Sequence, residues 1–176
     1  MTQKKNILLT GAPSSGKTTV IKKIIKNLNI PACGFYTQEE KQIDKRVGFL
    51  MRSLNGKKAY LAHQNIESEY RIRRYGVSIS NIENIAVPSI YPKKNIIIVL
   101  DEIGKMECFS EKFRIAAIKA LDSENIVIGT VTLGGGDFIE KIKQRQDIEI
   151  LEVTPENRNS LPSKILEKVN ALTDKK

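Results

Sequence analysis

Ile7-Leu8-Leu9 runs into Gly11-Ala12-Pro13-Ser14-Ser15-Gly16-Lys17-Thr18-Thr19, and from Lys17 onward the apolar residues fall at helical spacing. Strand, glycine loop and helix are therefore set out in order at the start of the chain. The loop reads Gly, four residues, Gly-Lys-Thr, which is the P-loop spacing. Gly11 and Gly16 allow backbone angles and a close approach that a side chain would block. The amides between them, with the helix N-terminus, form a cradle for phosphate oxygens. Lys17 is placed to reach the β- and γ-phosphates, and the Thr18 hydroxyl to ligate Mg²⁺.

A second apolar run, Ile96-Ile97-Ile98-Val99-Leu100, ends in Asp101-Glu102. Five consecutive branched residues suit a parallel strand covered on both faces. Acids at the carboxyl end of such a strand face the crevice where α/β sheets bind ligands. Asp101 is suited to hold Mg²⁺ through water opposite Thr18, and Glu102 to orient or deprotonate an attacking water, from a strand end expected to adjoin that of the glycine loop.

The remaining pattern alternates. A strand over Lys4 to Thr10 leads to a helix from Lys17 to Leu28 with Val20, Ile21, Ile24, Ile25 and Leu28 inward. Three short segments follow, around Cys33 to Glu39, Arg46 to Leu54 and Lys57 to Leu61, with Asp44-Lys45 and Asn55-Gly56 as turn signals. They read as a small antiparallel β insert spanning residues 32–61. A helix is expected around Ser80 to Val87, with a break bracketed by Pro88 and Pro92. Ser110 is the expected N-cap of a helix to about Leu121, Ile126 to Ile128 a strand, and Asp137 the cap of a helix over Phe138 to Arg145. A last strand, Ile148 to Val153, precedes a helix from Pro155 or Glu156 to about Leu172. The fold expected is a three-layer α/β P-loop domain with a mostly parallel sheet. It is expected as one domain over residues 1–172, with 173–176 a frayed tail.

Length and composition narrow the setting. The 176 residues suit one buried core, and 40% are hydrophobic, with no run approaching a membrane span. Cys33 and Cys108 are isolated and have neither metal-type nor framework spacing, so a reduced, cytoplasmic protein is expected. Lys and Arg outnumber acids 29 to 20, a net charge of +9. That field attracts nucleotides, nucleic acid or anionic surfaces. The basic residues are spread out, and the densest cluster, Arg71 to Arg74, has only Tyr70 and Tyr75 as aromatic neighbours. A solvated surface is preferred over a nucleic-acid partner, no membrane partner is expected, and a monomer is.

The string Asp101-Glu102-Ile103-Gly104-Lys105-Met106-Glu107 carries a resemblance. The chain resembles the small P-loop nucleoside-triphosphatases of thermophiles, whose vertebrate relatives are called cancer-related nucleoside-triphosphatases. The matching elements run nearly end to end: Gly11 to Thr19, Gly34 to Thr37, Arg46 to Phe49, Tyr75 to Val77, Asp101 to Glu107 and Thr154 to Arg158. The resemblance implies Mg²⁺-dependent hydrolysis of ATP, GTP and other nucleoside triphosphates to diphosphate and phosphate, with broad base tolerance. It also implies that Asp101, Glu102, Ile103 and Gly104 line the nucleotide site with the P-loop. Two departures stand out: Ser14 where the family often has glycine, and Asn159 where many members have an acid.

Phosphoryl transfer needs positive charge against the transition state. Arg158 is the first candidate, for phosphate or, with Asn157, for the nucleobase; Arg46, Lys105 and Arg145 are weaker. Thr130 and Thr132 are candidates to sense the γ-phosphate or position water. Gly134-Gly135-Gly136 lacks a following lysine and reads as a turn, and His63 carries no assignment. A nucleotide or polynucleotide 5′-kinase is the alternative reaction, but a kinase excludes water and gains little from Glu102. A nucleotide-dependent binding switch is the alternative of another class; the Asn-Lys-x-Asp element by which GTP switches read guanine is missing.

Overall fold

In the computed structural model, which describes residues 4–174, strands alternate with helices as the apolar pattern requires. The strands are β1 (Asn6–Thr10), β2 (Ala32–Gln42), β3 (Lys45–Ser53), β4 (Lys58–His63), β5 (Arg71–Ile72), β6 (Tyr75–Val77), β7 (Ile97–Ile103), β8 (Val127–Val131) and β9 (Ile148–Glu152). The helices are α1 (Lys17–Lys26), α2 (Ile79–Asn81), α3 (Val87–Ser89), α4 (Glu111–Asp122), α5 (Asp137–Lys143) and α6 (Leu161–Thr173). Among the described residues the strands form one sheet in the order β5-β6-β4-β3-β2-β7-β8-β1-β9. The five strands from β2 to β9 in that order pair in parallel, and those from β2 to β5 pair antiparallel.

The continuous apolar runs explain the three layers. Leu8, Ile98 and Leu100 pack on one face with Phe113, Ala117 and Leu121 of α4 and Ile139 and Ile142 of α5. Ile7, Leu9, Ile97 and Val99 pack on the other with Val20, Ile21 and Ile24 of α1 and Leu161, Ile165 and Val169 of α6. Each fully buried Ile or Leu contributes about 1.5–3 kcal/mol, so these strands form a rigid base for the loops at their carboxyl ends. No helix among the described residues is long and apolar enough to cross a membrane.

The antiparallel insert is continuous with this sheet and runs past the expected residues 32–61 to take in β5 and β6. β2 pairs in parallel with β7 over Ala32–Phe35 and antiparallel with β3 beyond, so one strand belongs to both regions. The β2–β3 turn has Ile43 and Asp44 at its centre, both at positive φ (47° and 61°), one residue earlier than the sequence suggested.

Four local expectations are corrected. Pro88 lies inside helical structure, in α3, and does not break it; a wider π-helical turn, Ile82–Ala86, precedes it. That turn suits a proline, which has no N–H and crowds the carbonyl four residues back. Asp137 is the first residue of α5, and Gly136 precedes it as the cap. α6 begins at Leu161, later than expected. Asn157 Oδ1 accepts from the Thr154 N–H at 2.9 Å and Asn157 Nδ2 donates to the Glu152 carbonyl at 2.8 Å, so these local bonds hold a turn where a helix was expected. Finally, β8 lies between β1 and β7, so the acidic strand does not adjoin the glycine-loop strand. The Ser110 cap is as expected, its Oγ accepting from the Phe113 N–H at 3.1 Å. Of the expected frayed tail, Thr173 ends α6 and Lys175-Lys176 lie outside the described residues.

Candidate active site

The carboxyl ends of the parallel strands open into a cavity of about 1190 Å³. Gly11, Pro13, Ser14, Gly16, Lys17, Thr18 and Thr19 line one end, with Glu102, Gly104 and Thr132 beside them. The glycines are required here by geometry. A Cβ on Gly11 (φ 142°) would sit 2.7 Å from the Val153 carbonyl oxygen, and Gly16 (φ 106°) is the left-handed N-cap of α1. Ser14 is also left-handed, at φ 63°. A glycine would hold this angle without the strain of roughly 1 kcal/mol that a side chain carries, so Ser14 takes up the left-handed angle at a small cost. Lys17 Nζ donates to the Gly11 and Ala12 carbonyls at 2.9 and 3.1 Å, which holds the ammonium over the loop. The Ser15 N–H is turned back to the Ala12 carbonyl at 3.1 Å, and Ser15 Oγ is buried without a partner.

The carboxylates approach from β7. The β7–β8 register slips between Leu100 and Ile103, an irregularity that re-aims side chains at the end of the strand. The Asp101–Glu102 peptide is cis. Asp101 is buried; its Oδ1 accepts from the Thr130 hydroxyl at 2.6 Å, and its Oδ2 has no hydrogen-bond partner. Burial pushes the Asp101 carboxyl up, while the Thr130 and Thr18 hydroxyls, the Thr37 backbone and the Lys17 charge favour its ionised form. Glu102 is pushed up to about 7 by burial and by the neighbouring Asp101, against the pull of Lys17.

Glu107 completes the group and was not singled out by sequence reasoning. It is 3% exposed, and its carboxyl is raised well above the usual range, first by burial and then by Glu102. A Cβ on Gly104 would stand 2.8 Å from Glu107 Oε2 and 3.3 Å from Glu102 Cγ, so the missing side chain leaves room for both acids. An acid placed just beyond a glycine in the Asp101–Glu107 string was the available signal. Thr37 was missed too; it faces the cavity from β2, and its backbone lies against Asp101.

Other expected residues are distributed differently. Arg158 stands beside the loop, its Cδ 3.4 Å from the Cβ position of Gly16. Asn157 has both ends of its carboxamide on the backbone and positions that turn. Ile103 is buried in the core, and its carbonyl accepts from the Thr132 N–H, so only its backbone is near the site. Thr130 is committed to Asp101, whereas Thr132 lines the cavity. Arg46 and Lys105 line it as well. Arg145 does not: it pairs with Asp147 just before β9 and with Asp122 at the end of α4, at the amino-terminal ends of the strands.

A glycine loop, a lysine, a threonine and buried carboxyl groups thus meet at one end of one cavity. The NTPase family model matches residues 6–166. The chain belongs to the NTPase family. It is 45% identical over 163 residues to the nucleoside-triphosphatase THEP1 of Thermotoga maritima, covering 91% of this chain and 92% of that one. The crystal structure of THEP1 from Aquifex aeolicus superimposes with a TM-score of 0.85 at 31% identity, covering 93% of this chain and 98% of that one. The solution structure of a human cancer-related nucleoside triphosphatase gives 0.80 at 34% identity, covering 94% and 97%. In this NTPase family fold, the antiparallel insert forms the far end of the cavity, through Arg46, Phe49, Leu61 and the segment Ile72–Tyr75.

Proposed function

We propose that this chain hydrolyses nucleoside triphosphates, ATP and GTP among them, to nucleoside diphosphate and phosphate in a Mg²⁺-dependent reaction. One observation carries the reading: the Glu102 carboxyl, raised to about 7, shares a cavity with Lys17 of the phosphate-binding loop. A carboxylate with a pKa near neutrality is suited to take a proton from water.

The residues fit a hard cation. Asp101 Oδ2 is buried and lacks a partner, and the Thr18 hydroxyl is close enough to favour ionised Asp101. Both are oxygen donors, as Mg²⁺ prefers, and Mg²⁺ sites commonly use one or two carboxylates together with substrate phosphates. Thr18 and Asp101 would hold the ion, which when bound neutralises charge on the β- and γ-phosphates. The loop from Gly11 through Thr19 binds and orients the phosphates through its free backbone N–H groups, Pro13 having none and that of Ser15 being bonded to Ala12, and Lys17 adds its charge at the β/γ end. Thr130 fixes Asp101. Glu102 holds the water and accepts its proton, and Arg158 lies close enough to Gly16 to contact phosphate. Ile103 and Gly104 contribute backbone only, and Asn157 contributes by holding the Arg158 turn. Base breadth follows if recognition rests mainly on phosphate. The two free cysteines, Cys33 and Cys108, support a cytoplasmic setting, and a monomer suffices because one chain supplies every group named.

Phosphate release from ATP, GTP, CTP and UTP, with and without Mg²⁺, tests this. Release that requires Mg²⁺ and no added acceptor is expected. Transfer of γ-label to a nucleotide or a 5′-hydroxyl DNA end, without release in its absence, would replace hydrolysis with a kinase reaction.

A further inference from the structure

The cavity is larger than one small-molecule ligand needs, about 1190 Å³ against roughly 300–1,000 Å³ for ordinary sites. Its two ends differ in position and chemistry. Across the strand ends, Arg158 follows β9, the phosphate loop follows β1, and the carboxylates end β7; β2, β3, β4, β6 and β5 lie beyond. On the reading above, the γ-phosphate points toward the carboxylates of β7. The insert end of the cavity then lies past the reactive phosphate, away from Arg158.

That far end combines rings with guanidinium groups. Phe49 and Tyr75 meet edge to face with centroids 5.4 Å apart. Arg46 lies over the Phe49 ring and Arg74 over the Tyr75 ring, each 5.3 Å from the centroid. Arg46 is ion-paired with Glu39, and Arg74 donates to the Arg46 carbonyl and, at 3.2 Å, to the Tyr75 hydroxyl. These bonds fasten the β5–β6 hairpin to β3. Arg73, in the turn between β5 and β6 at φ 53°, also lines the cavity and has no hydrogen bond or ion pair among the described residues. Leu61 and Ile72 add apolar surface. Aromatic rings and guanidinium planes stack on flat π systems, and a free guanidinium binds phosphate oxygens in a two-pronged contact.

We propose that the insert end of the cavity is a second binding site, for a nucleoside 5′-monophosphate group. The base packs on the layered Arg46–Phe49 and Arg74–Tyr75 surface, and the phosphate binds Arg73. The group is either a free mononucleotide or the 5′-phosphorylated end of a single-stranded oligonucleotide. The site is filled together with the phosphate loop, because the two ligands occupy opposite sides of the β7 carboxylates.

Calorimetric titration of protein saturated with Mg²⁺ and a non-hydrolysable triphosphate analogue tests this. The titrants are AMP, GMP, a 5′-phosphorylated DNA oligomer, its 5′-hydroxyl counterpart and adenosine. One additional site per chain is expected, and the tighter of mononucleotide and phosphorylated oligomer identifies the source of the group. Adenosine and the 5′-hydroxyl oligomer are expected to bind about tenfold more weakly or less. Arg73→Gly, which suits the left-handed backbone there, and Phe49→Leu should each weaken the second site about tenfold, with analogue affinity within about twofold of wild type. The proposal is overturned if no titrant binds the saturated protein, if monophosphates displace the analogue one for one, or if Arg73→Gly binds them as wild type does. Should the analogue itself not bind, the triphosphatase reading fails, while monophosphate binding and its dependence on Arg73 still decide this proposal.

Discussion

The two ends of the cavity handle charge in opposite ways. At the phosphate-loop end, Asp101 and Glu107 are almost wholly buried, Asp101, Glu102 and Glu107 are all raised by desolvation, and Glu102 and Glu107 are raised further by neighbouring carboxylates. At the insert end, Arg46 is paired with Glu39 and stacked on a ring, and the exposed Arg74 is tied to backbone. A buried, crowded charge costs stability unless something else requires it. A paired, solvated charge costs little and adds little. The difference is that the carboxyls suited to proton transfer are buried at the β7 end, while the cations at the insert end are solvated.

The largest effect that would break this division is expected at Glu102. Glu102→Gln should keep triphosphate binding and lose hydrolysis by about 10²–10⁴-fold, the range for a lost general base; single-turnover phosphate release measures it, and an unchanged rate removes Glu102 as the base. Lys17→Ala should lower turnover by about 10²–10³-fold and weaken binding as well, because a charge on the developing phosphate is lost. Turnover near wild type would put the phosphates elsewhere in the cavity. Arg158→Ala should cost about tenfold in KM or kcat in steady-state assays, with both unchanged if Arg158 only packs on Gly16.

A smaller effect, on stability, sharpens the comparison through pH. Glu102 and Glu107 are raised in the fold above their ordinary 4.5, so the folded protein binds more protons than the unfolded chain. Their contribution is intact below pH 4.5 and is lost as pH rises, through about 7 in the case of Glu102. Glu107→Gln should therefore raise the melting temperature at pH 8, by about 5 °C, with little change at pH 4. An equal shift at both pH values would show that Glu107 is not an uncompensated charge. The corresponding change at the exposed insert end, Arg73→Gly, should move the melting temperature by less than about 2 °C at either pH.

How much was legible follows from how local each cause is. Ile7 to Thr19 could be read directly, because strand, glycine turn and helix are set by neighbouring residues and by the positive φ at Gly11 and Gly16. The Ile97–Leu100 strand was equally plain, since burial on both faces leaves no polar position. The late start of α6 was not, because Asn157 satisfies backbone groups three and five residues away and mimics a helical start in sequence. Arg145 looked like a free cation until the fold set it beside Asp122, 23 residues away in sequence.

Sequence by itself determined the phosphate loop, the acidic strand end, the alternation that makes three layers and the family resemblance, because each depends on short-range spacing. Only the tertiary structure decided that β8 separates β1 from β7, that Thr130 holds Asp101, and that Glu107 joins Glu102 across Gly104. It also decided that the insert extends the same sheet and closes the far side of the cavity. Strand order and side-chain convergence depend on which distant surfaces bury one another, and no local pattern records that.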